Sequence, residues 1–385
     1  MAESPDENIR LSDSDVEVGV ALPWSTFDDA GRLLLRKGAV ISSQNQLNAL
    51  LQRGMYRQKI IKANRSKPSP SDQDGKPNPF VVMGDLQARA QKVLQAIGEG
   101  KAENARVHVQ KLCADLNAIH DYDADATLAA MHLEQEGSYS VRHSLYCAMV
   151  AGLIARRKGY VPNAMTTLMS AALTANVGML ELQESLLAHA GSLSEETWEL
   201  IKQHPEHGVM LLKAAGIDDA IWLMIVEQHH EKNDGSGYNK GLHTPDIHEG
   251  AKIVGVADRY HVLISDRAQR RALPPTDSLR KLFILKEHLD EESVLALIKE
   301  LGIYPPGVYV RLTNGEIGLV TRRGEDGVTP QVASIVSPRG ADYIKPFLRD
   351  CSASEYAIKE RVEPLPVPIA SLYWLWGYGH FSEGS

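Results

Sequence analysis

Across residues 81–302, apolar side chains recur every three or four positions with few interruptions, and a pattern of that length confines the chain to a helical core. Leu86, Ala90, Val93, Leu94 and Ile97 fall on one stripe, and Val107, Val109, Leu112, Leu116 and Ile119 on another. The same spacing continues through 124–134, 141–156, 165–174, 195–214, 220–229, 250–265, 277–289 and 292–301. Such stripes bury only against one another, so the fold class is mainly α, a helical bundle with smaller units at its ends.

Residues 1–62 read as a small α+β module. Asp28-Asp29-Ala30-Gly31 predicts a turn into the apolar run Leu33-Leu34-Leu35. Ser42-Ser43 caps a helix with Leu47, Leu50 and Leu51 on one face, Gly54 ends it, and 55–61 return as a strand. Residues 63–80 are rich in Pro, Ser, Asp and Lys and read as a linker. After Gly302, Tyr304-Pro305-Pro306-Gly307 leads into two alternating apolar runs joined by Asn314-Gly315, a strong hairpin signal. With a third strand at 331–336, residues 303–350 form a C-terminal β extension. Residues 351–385 are a tail whose aromatic cluster, from Tyr373 to Phe381, is expected to dock on the chain's own surface.

Composition removes several classes of function. A net charge of −8 argues against binding nucleic-acid polymers. The N-terminus lacks the basic and apolar regions of a signal peptide, and no uncharged apolar stretch approaches the ~18 residues of a membrane span. Cys113, Cys147 and Cys351 form no CxxC pair, which fits reduced thiols; a cytoplasmic protein is expected.

Chemistry concentrates at His229-His230-Glu231-Lys232-Asn233-Asp234-Gly235-Ser236-Gly237-Tyr238. Imidazoles and carboxylates are metal ligands, and the two glycines permit a tight loop that presents Tyr238. A polar helix end with a glycine turn is the plain alternative, but the whole string favours a site. His143, His204 and Asp258 lie where helices can bring them near it. Adjacent residues on a helix diverge by ~100°, so His229 and His230 are expected to serve different partners.

Several segments, in order, carry a resemblance over 139–267: Tyr139-Ser140-Val141-Arg142-His143-Ser144, Ile201-Lys202-Gln203-His204-Pro205, His229-His230-Glu231, Asp234-Gly235-Ser236-Gly237-Tyr238, Gly241-Leu242, and Ile253 through Asp258 to Tyr260. This region resembles the HD-GYP domain, a bacterial branch of the HD metal-dependent phosphohydrolases. The N-terminal module and the Tyr-Pro-Pro-Gly segment resemble the accessory domain and extension that often flank it. The resemblance implies an all-α bundle that binds two or three iron or manganese ions and hydrolyses cyclic di-GMP. Bridging metals would activate water and neutralise the phosphodiester.

The departures redirect that expectation. Where the family carries its His-Asp doublet, the segment Ala171-Ala172-Leu173-Thr174-Ala175-Asn176-Val177-Gly178-Met179 offers Ala175 and Asn176. A neutral amide contacts one cation weakly and cannot bridge two. Met179 replaces a lysine suited to the scissile phosphate, and Ser138 stands where the family can place an acidic ligand. Asn239 replaces the proline of the Gly-Tyr-Pro motif and His261 an aspartate. Carried over, one metal position keeps His143 and Asp258, and the other keeps His204 and His229 with His230 nearby. One iron or manganese ion, or none, is expected on these residues. No catalytic residue is expected. Ligand contacts are expected from Tyr238, Gly237, Asp234, Lys232 and Arg267, with Arg142, Lys202 and Lys240 also able to meet a phosphate. The chain is thus expected to be a degenerate, non-catalytic regulator that binds cyclic di-GMP or a related nucleotide, or a signalling protein. The alternative is residual metal-dependent hydrolysis to linear dinucleotide or GMP.

Overall fold

A computed structural model describes residues 8–12, 15–22, 26–27, 33–35, 38–52, 55–58, 76–133, 136–189, 191–268, 271–285, 288–365 and 372–378. The expected turn at 28–31, Gly54, most of the linker and residues 379–381 of the aromatic cluster lie outside them. In the N-terminal unit, β1 (Asn8–Arg10), β2 (Thr26–Phe27), β3 (Leu33–Leu35) and β4 (Tyr56–Gln58) form an antiparallel sheet in the order β1-β4-β2-β3. Helix α1 (Gln44–Gln52) adds Leu47 to a small core of Leu11, Val16, Leu22, Ile41 and Met55.

The main body is helical, as expected: α2 (Pro79–Gly98), α3 (Ala105–Tyr122), α4 (Ala124–Leu133), α5 (Tyr139–Arg157), α6 (Pro162–Thr174), α7 (Leu180–Ala188), α8 (Glu195–Ala214), α9 (Ala220–Gln228), α10 (Glu249–Ile264), α11 (Pro275–Ile284) and α12 (Glu291–Leu301). Side-chain caps start many of them, with Asn78, Ser138, Ser194, Asp219 and Asp290 accepting from backbone N–H groups of the first turn. Helix α5 is the axis of the bundle. Of its residues only Arg142, Arg156 and Arg157 escape burial, because small and apolar side chains surround it on every face. Gly152 lets α6 approach so closely that an added Cβ would lie 3.0 Å from the Met169 sulfur.

Two details of the stripes differ from expectation. Val107 is 62% exposed, since the buried face of α3 runs through Val109, Leu112, Leu116 and Ile119. Helix α7, short and weakly patterned, was not anticipated.

Beyond Gly302, β5 (Tyr309–Leu312), β6 (Ile317–Arg322), β7 (Gln331–Val336), β8 (Asp342–Asp350) and β9 (Ile358–Arg361) form an antiparallel sheet in the order β8-β7-β6-β5-β9. The Asn314-Gly315 turn joins β5 to β6, with Gly315 at φ +91°. Strands β8 and β9 were not expected, because Pro346 and the adjacent Phe347-Leu348 break the alternation in β8 and β9 is short and polar.

The sheet is fastened to the bundle at the α3–α4 junction. Asp123 accepts from both terminal nitrogens of Arg322 and from the Tyr378 hydroxyl at 2.9 Å, and Asp125 accepts from Arg323 Nε at 2.6 Å. The aromatic tail completes this seam. Trp376 is buried and donates to the Thr321 carbonyl at 2.9 Å, while Tyr373 stacks on Phe80 with centroids 4.4 Å apart. Trp376→Ala should therefore cost about 3–5 kcal/mol of unfolding free energy in urea titrations. Trp198→Ala, at an exposed position on α8, should cost no more than about 0.5 kcal/mol.

Candidate metal and ligand site

Helix α9 ends at Gln228, with His229 as its C-cap still at helical angles (φ −66°, ψ −10°), and the loop follows from His230. The loop beyond is built around Glu231, whose buried carboxylate accepts from the N–H groups of Lys240 (2.7 Å), Gly241 (3.2 Å) and Leu242 (2.9 Å). Both glycines are required. Gly235 has φ +76° with the His243 ring against it, and a Cβ on Gly237 would meet the Glu231 Cα at 2.5 Å. The loop so formed lays Tyr238 on His230, with ring centroids 4.7 Å apart.

The other residues expected to contact a ligand have partners within the chain. Asp234 shapes the loop, accepting from the Ser236 hydroxyl at 2.8 Å and pairing with His288 at 2.8 Å. Lys232 extends along the exposed loop to the Ser236 hydroxyl, and Lys240 pairs with Glu227. Lys202 pairs with Glu199 on the surface. Arg267 donates to the Tyr139 hydroxyl at 3.2 Å, and the Tyr139 ring in turn lies against His143 with centroids 5.7 Å apart.

His204, His229 and His230 converge, their ligand nitrogens all within 4.8 Å of one another. The two adjacent histidines, expected to serve different partners, instead bring ring nitrogens into one group with His204. His204 Nδ1 lies 2.6 Å from the Ile201 carbonyl and His229 Nδ1 2.7 Å from the Val226 carbonyl. A carbonyl only accepts, so each Nδ1 carries the proton and each Nε2 presents a lone pair. Those two Nε2 atoms face each other at 3.3 Å, and His230 Nε2 is buried without a partner. Lone pairs directed at one point, with outer nitrogens tied to carbonyls, are the donor arrangement that a divalent cation satisfies. Burial, and then the neighbouring His229, lower the His204 pKa to about 3; burial likewise lowers His229 and holds His230 well below the usual range. All three are neutral ligands at neutral pH.

The second group is His143, Cys147 and Asp258, with Asn176 beside it. His143 Nε2 donates to Asp258 Oδ1 at 2.8 Å, and His143 Nδ1 lies 2.8 Å from His261 Nδ1. Burial would raise the Asp258 carboxyl, but the His143 hydrogen bond outweighs it and holds the group well below the carboxylate range. Asn176 Nδ2 reaches Asp258 at 3.4 Å, while its Oδ1 is buried and unpartnered. Gly178, two residues on, packs against α8 so tightly that a Cβ would lie 2.3 Å from the His204 carbonyl oxygen. That contact ties the Asn176 turn to the other histidine group, yet no residue is shared between the two.

A cavity of about 660 Å³ opens onto His204 and is lined by Ser138, Ser140, Met179 and His207 among others. None of the described lining residues is a lysine or arginine. Its wall includes Glu184, whose carboxylate accepts from the Ser140 N–H at 2.7 Å and from the Ser138 hydroxyl. Sequence reasoning missed Glu184 because α7 itself was not recognised. It also missed Cys147, although a cysteine four residues after His143 lies one helical turn away on the same face.

Residues 123–292 match the family model described as HD domain. The chain is 28% identical over 235 residues to the cyclic di-GMP phosphodiesterase PA4108 of Pseudomonas aeruginosa, covering 60% of this chain and 56% of that protein. It is 28% identical over 220 residues to the cyclic di-GMP phosphodiesterase response regulator RpfG of Xanthomonas campestris pv. campestris, covering 56% of this chain and 58% of that one. The chain thus spans little more than half the length of these relatives. Among solved structures it is similar to Bd1817, an HDG"Y"P protein from Bdellovibrio bacteriovorus, with a TM-score of 0.50, 19% identity, and coverage of 75% of this chain and 98% of that one.

The depressed His204 pKa has a consequence for stability. The folded site refuses a proton that the unfolded chain accepts near pH 6.5, so this contribution is complete above that pH and is lost as pH falls towards 3. In chelator-treated protein, unfolding free energy should drop by about 2 kcal/mol from this group between pH 7.5 and 5.0. Urea titrations at the two pH values should show a smaller difference for His204→Gln than for the unmodified chain.

Proposed function

We propose that this chain, an HD-GYP domain protein, is a non-catalytic regulator that recognises cyclic di-GMP or a closely related nucleotide at the Tyr238 loop beside His204. The observation that carries this reading is the neutral amide of Asn176 beside Asp258. In-line attack on a phosphodiester by paired metals needs the ions held together so that both the attacking and leaving oxygens are stabilised. Asn176 meets Asp258 through a neutral amide, which cannot bridge two cations. Met179 adds no charge to the cavity wall, so no lysine or arginine there neutralises the phosphate in the transition state. The curated relatives named above are called cyclic di-GMP phosphodiesterases, which supports the nucleotide class.

A second reading is slow hydrolysis with a single ion. It is favoured by the facing Nε2 atoms of His204 and His229 and by the unpartnered Nε2 of His230. These residues would hold one iron or manganese ion, which when bound supplies Lewis acidity. Glu231 and the Tyr238 loop would orient the nucleotide beside it.

Isothermal titration of the full chain with cyclic di-GMP should give saturable binding, weakened at least about tenfold by Tyr238→Ala through loss of base stacking. Prolonged incubation with the nucleotide and iron(II) or manganese(II) should yield neither linear dinucleotide nor GMP. Absence of nucleotide binding would remove the recognition reading and leave a protein partner. Product formation that disappears in His229→Ala would establish the hydrolytic reading instead.

A further inference from the structure

A second cavity, of about 360 Å³, lies where α4, α5 and α10 meet the start of β5 and the chain that follows β9. Protein interiors keep few voids larger than a water molecule, and a space of this size is that of a small-molecule site. Each of those elements contributes an apolar side chain to its walls: Met131, Leu145, Ile264, Val308 and Leu365. No residue of the His204 group lines it, and neither does Tyr238.

Two polar groups on the walls are uncommitted. Arg361, partly buried at the end of β9, forms no ion pair among the described residues. Asp266, the acid among the described lining residues, is engaged by its own loop, accepting from the Ala272 N–H at 2.7 Å. His261 is 4% exposed and lines the cavity. Because His143 Nε2 donates to Asp258, the neutral His143 ring offers a lone pair at Nδ1, and His261 Nδ1 donates to it at 2.8 Å. His261 Nε2 is then an acceptor, and it has no hydrogen-bond partner among the described residues.

We propose that this cavity is a second ligand site, which takes a small organic acid with an apolar body and an N–H or O–H donor. The walls bury the body, Arg361 pairs with the acid group, and His261 Nε2 accepts from the donor. The walls belong to both the bundle and the sheet, so an occupant joins the two. His132, on the same wall, already crosses that seam, its Nδ1 donating to the Pro306 carbonyl at 2.9 Å. Binding therefore stabilises the folded chain as ligand concentration rises.

This inference does not depend on nucleotide binding. The probe is anilinonaphthalene sulfonate, which combines a sulfonate, an N–H and apolar rings and brightens on leaving water. The full chain should bind one equivalent saturably, and its thermal midpoint should rise with dye concentration, as only binding to the folded state allows. Arg361→Gln should weaken the dye about 10–100-fold, the worth of a hydrogen bond to a charged group. Phenylnaphthylamine, the same body without the sulfonate, should compete with the dye and be indifferent to Arg361→Gln. His261→Phe should weaken both probes alike, by about fivefold, through loss of a neutral acceptor. Ala272→Trp, which fills the cavity from a partly buried loop position, should abolish binding of both with helical circular dichroism intact. Should it fail to fold, Val362→Phe fills the space from the opposite unit and should do the same. Phe347→Ala, at an apolar side chain 47% exposed on β8, should leave binding unchanged. Unsaturable binding, full affinity in Arg361→Gln or in a folded cavity-filled variant, loss in Phe347→Ala, or displacement of the dye by cyclic di-GMP would each overturn the assignment.

Discussion

Burial of α5 on every face is the condition on which the rest of the molecule depends. Along the buried turns of α5, sheathed by α2, α6, α10 and α12, a polar group cannot reach water, so His143, fully buried there, must be satisfied from within. His261 and Asp258 do this from α10. The arrangement of α10 against α5 is therefore set by packing and by that hydrogen-bonded chain together, and Asn176 at the end of α6 closes the third side. The same buried polar core that requires internal partners supplies a cluster of metal-ligating groups.

Glycine sets the second constraint. Gly178 permits the turn after α6 to touch the backbone of α8, Gly255 on α10 brings that helix against the His229 carbonyl, and Gly237 folds the tyrosine loop back on Glu231. These contacts pack the turn that carries Asn176 against α8 and the His229 backbone against α10. Beside Asp258 the turn after α6 places Asn176, a neutral amide that cannot bridge two cations as a carboxylate does.

At the far end of the bundle, a different device holds the sheet in place. Asp123 and Asp125 begin α4 and also receive Arg322 and Arg323 from β6. Trp376 and Tyr378 cover the seam. The tail's aromatic content, which on its own leaves open a surface for a partner, is spent largely inside the chain.

The sequence by itself determined the mainly helical class, most helix positions, the hairpin at Asn314-Gly315 and the set of histidines and acids that approach one another. These follow from local rules: side-chain periodicity, capping, turn chemistry and motif order act over a few residues. Helix α7 and strands β8 and β9 escaped notice because their patterns are short or polar, and Val107 misled because a stripe of five does not reveal which member rotates outward. Only the tertiary structure decided that His229 and His230 both join His204, since His204 arrives from the separate helix α8. It alone revealed Glu231 as the keystone of the tyrosine loop and placed Cys147 and Asn176 beside Asp258. Such contacts join residues distant in sequence through the packing of whole helices, and no local spacing encodes which side chain a neighbouring helix will bring.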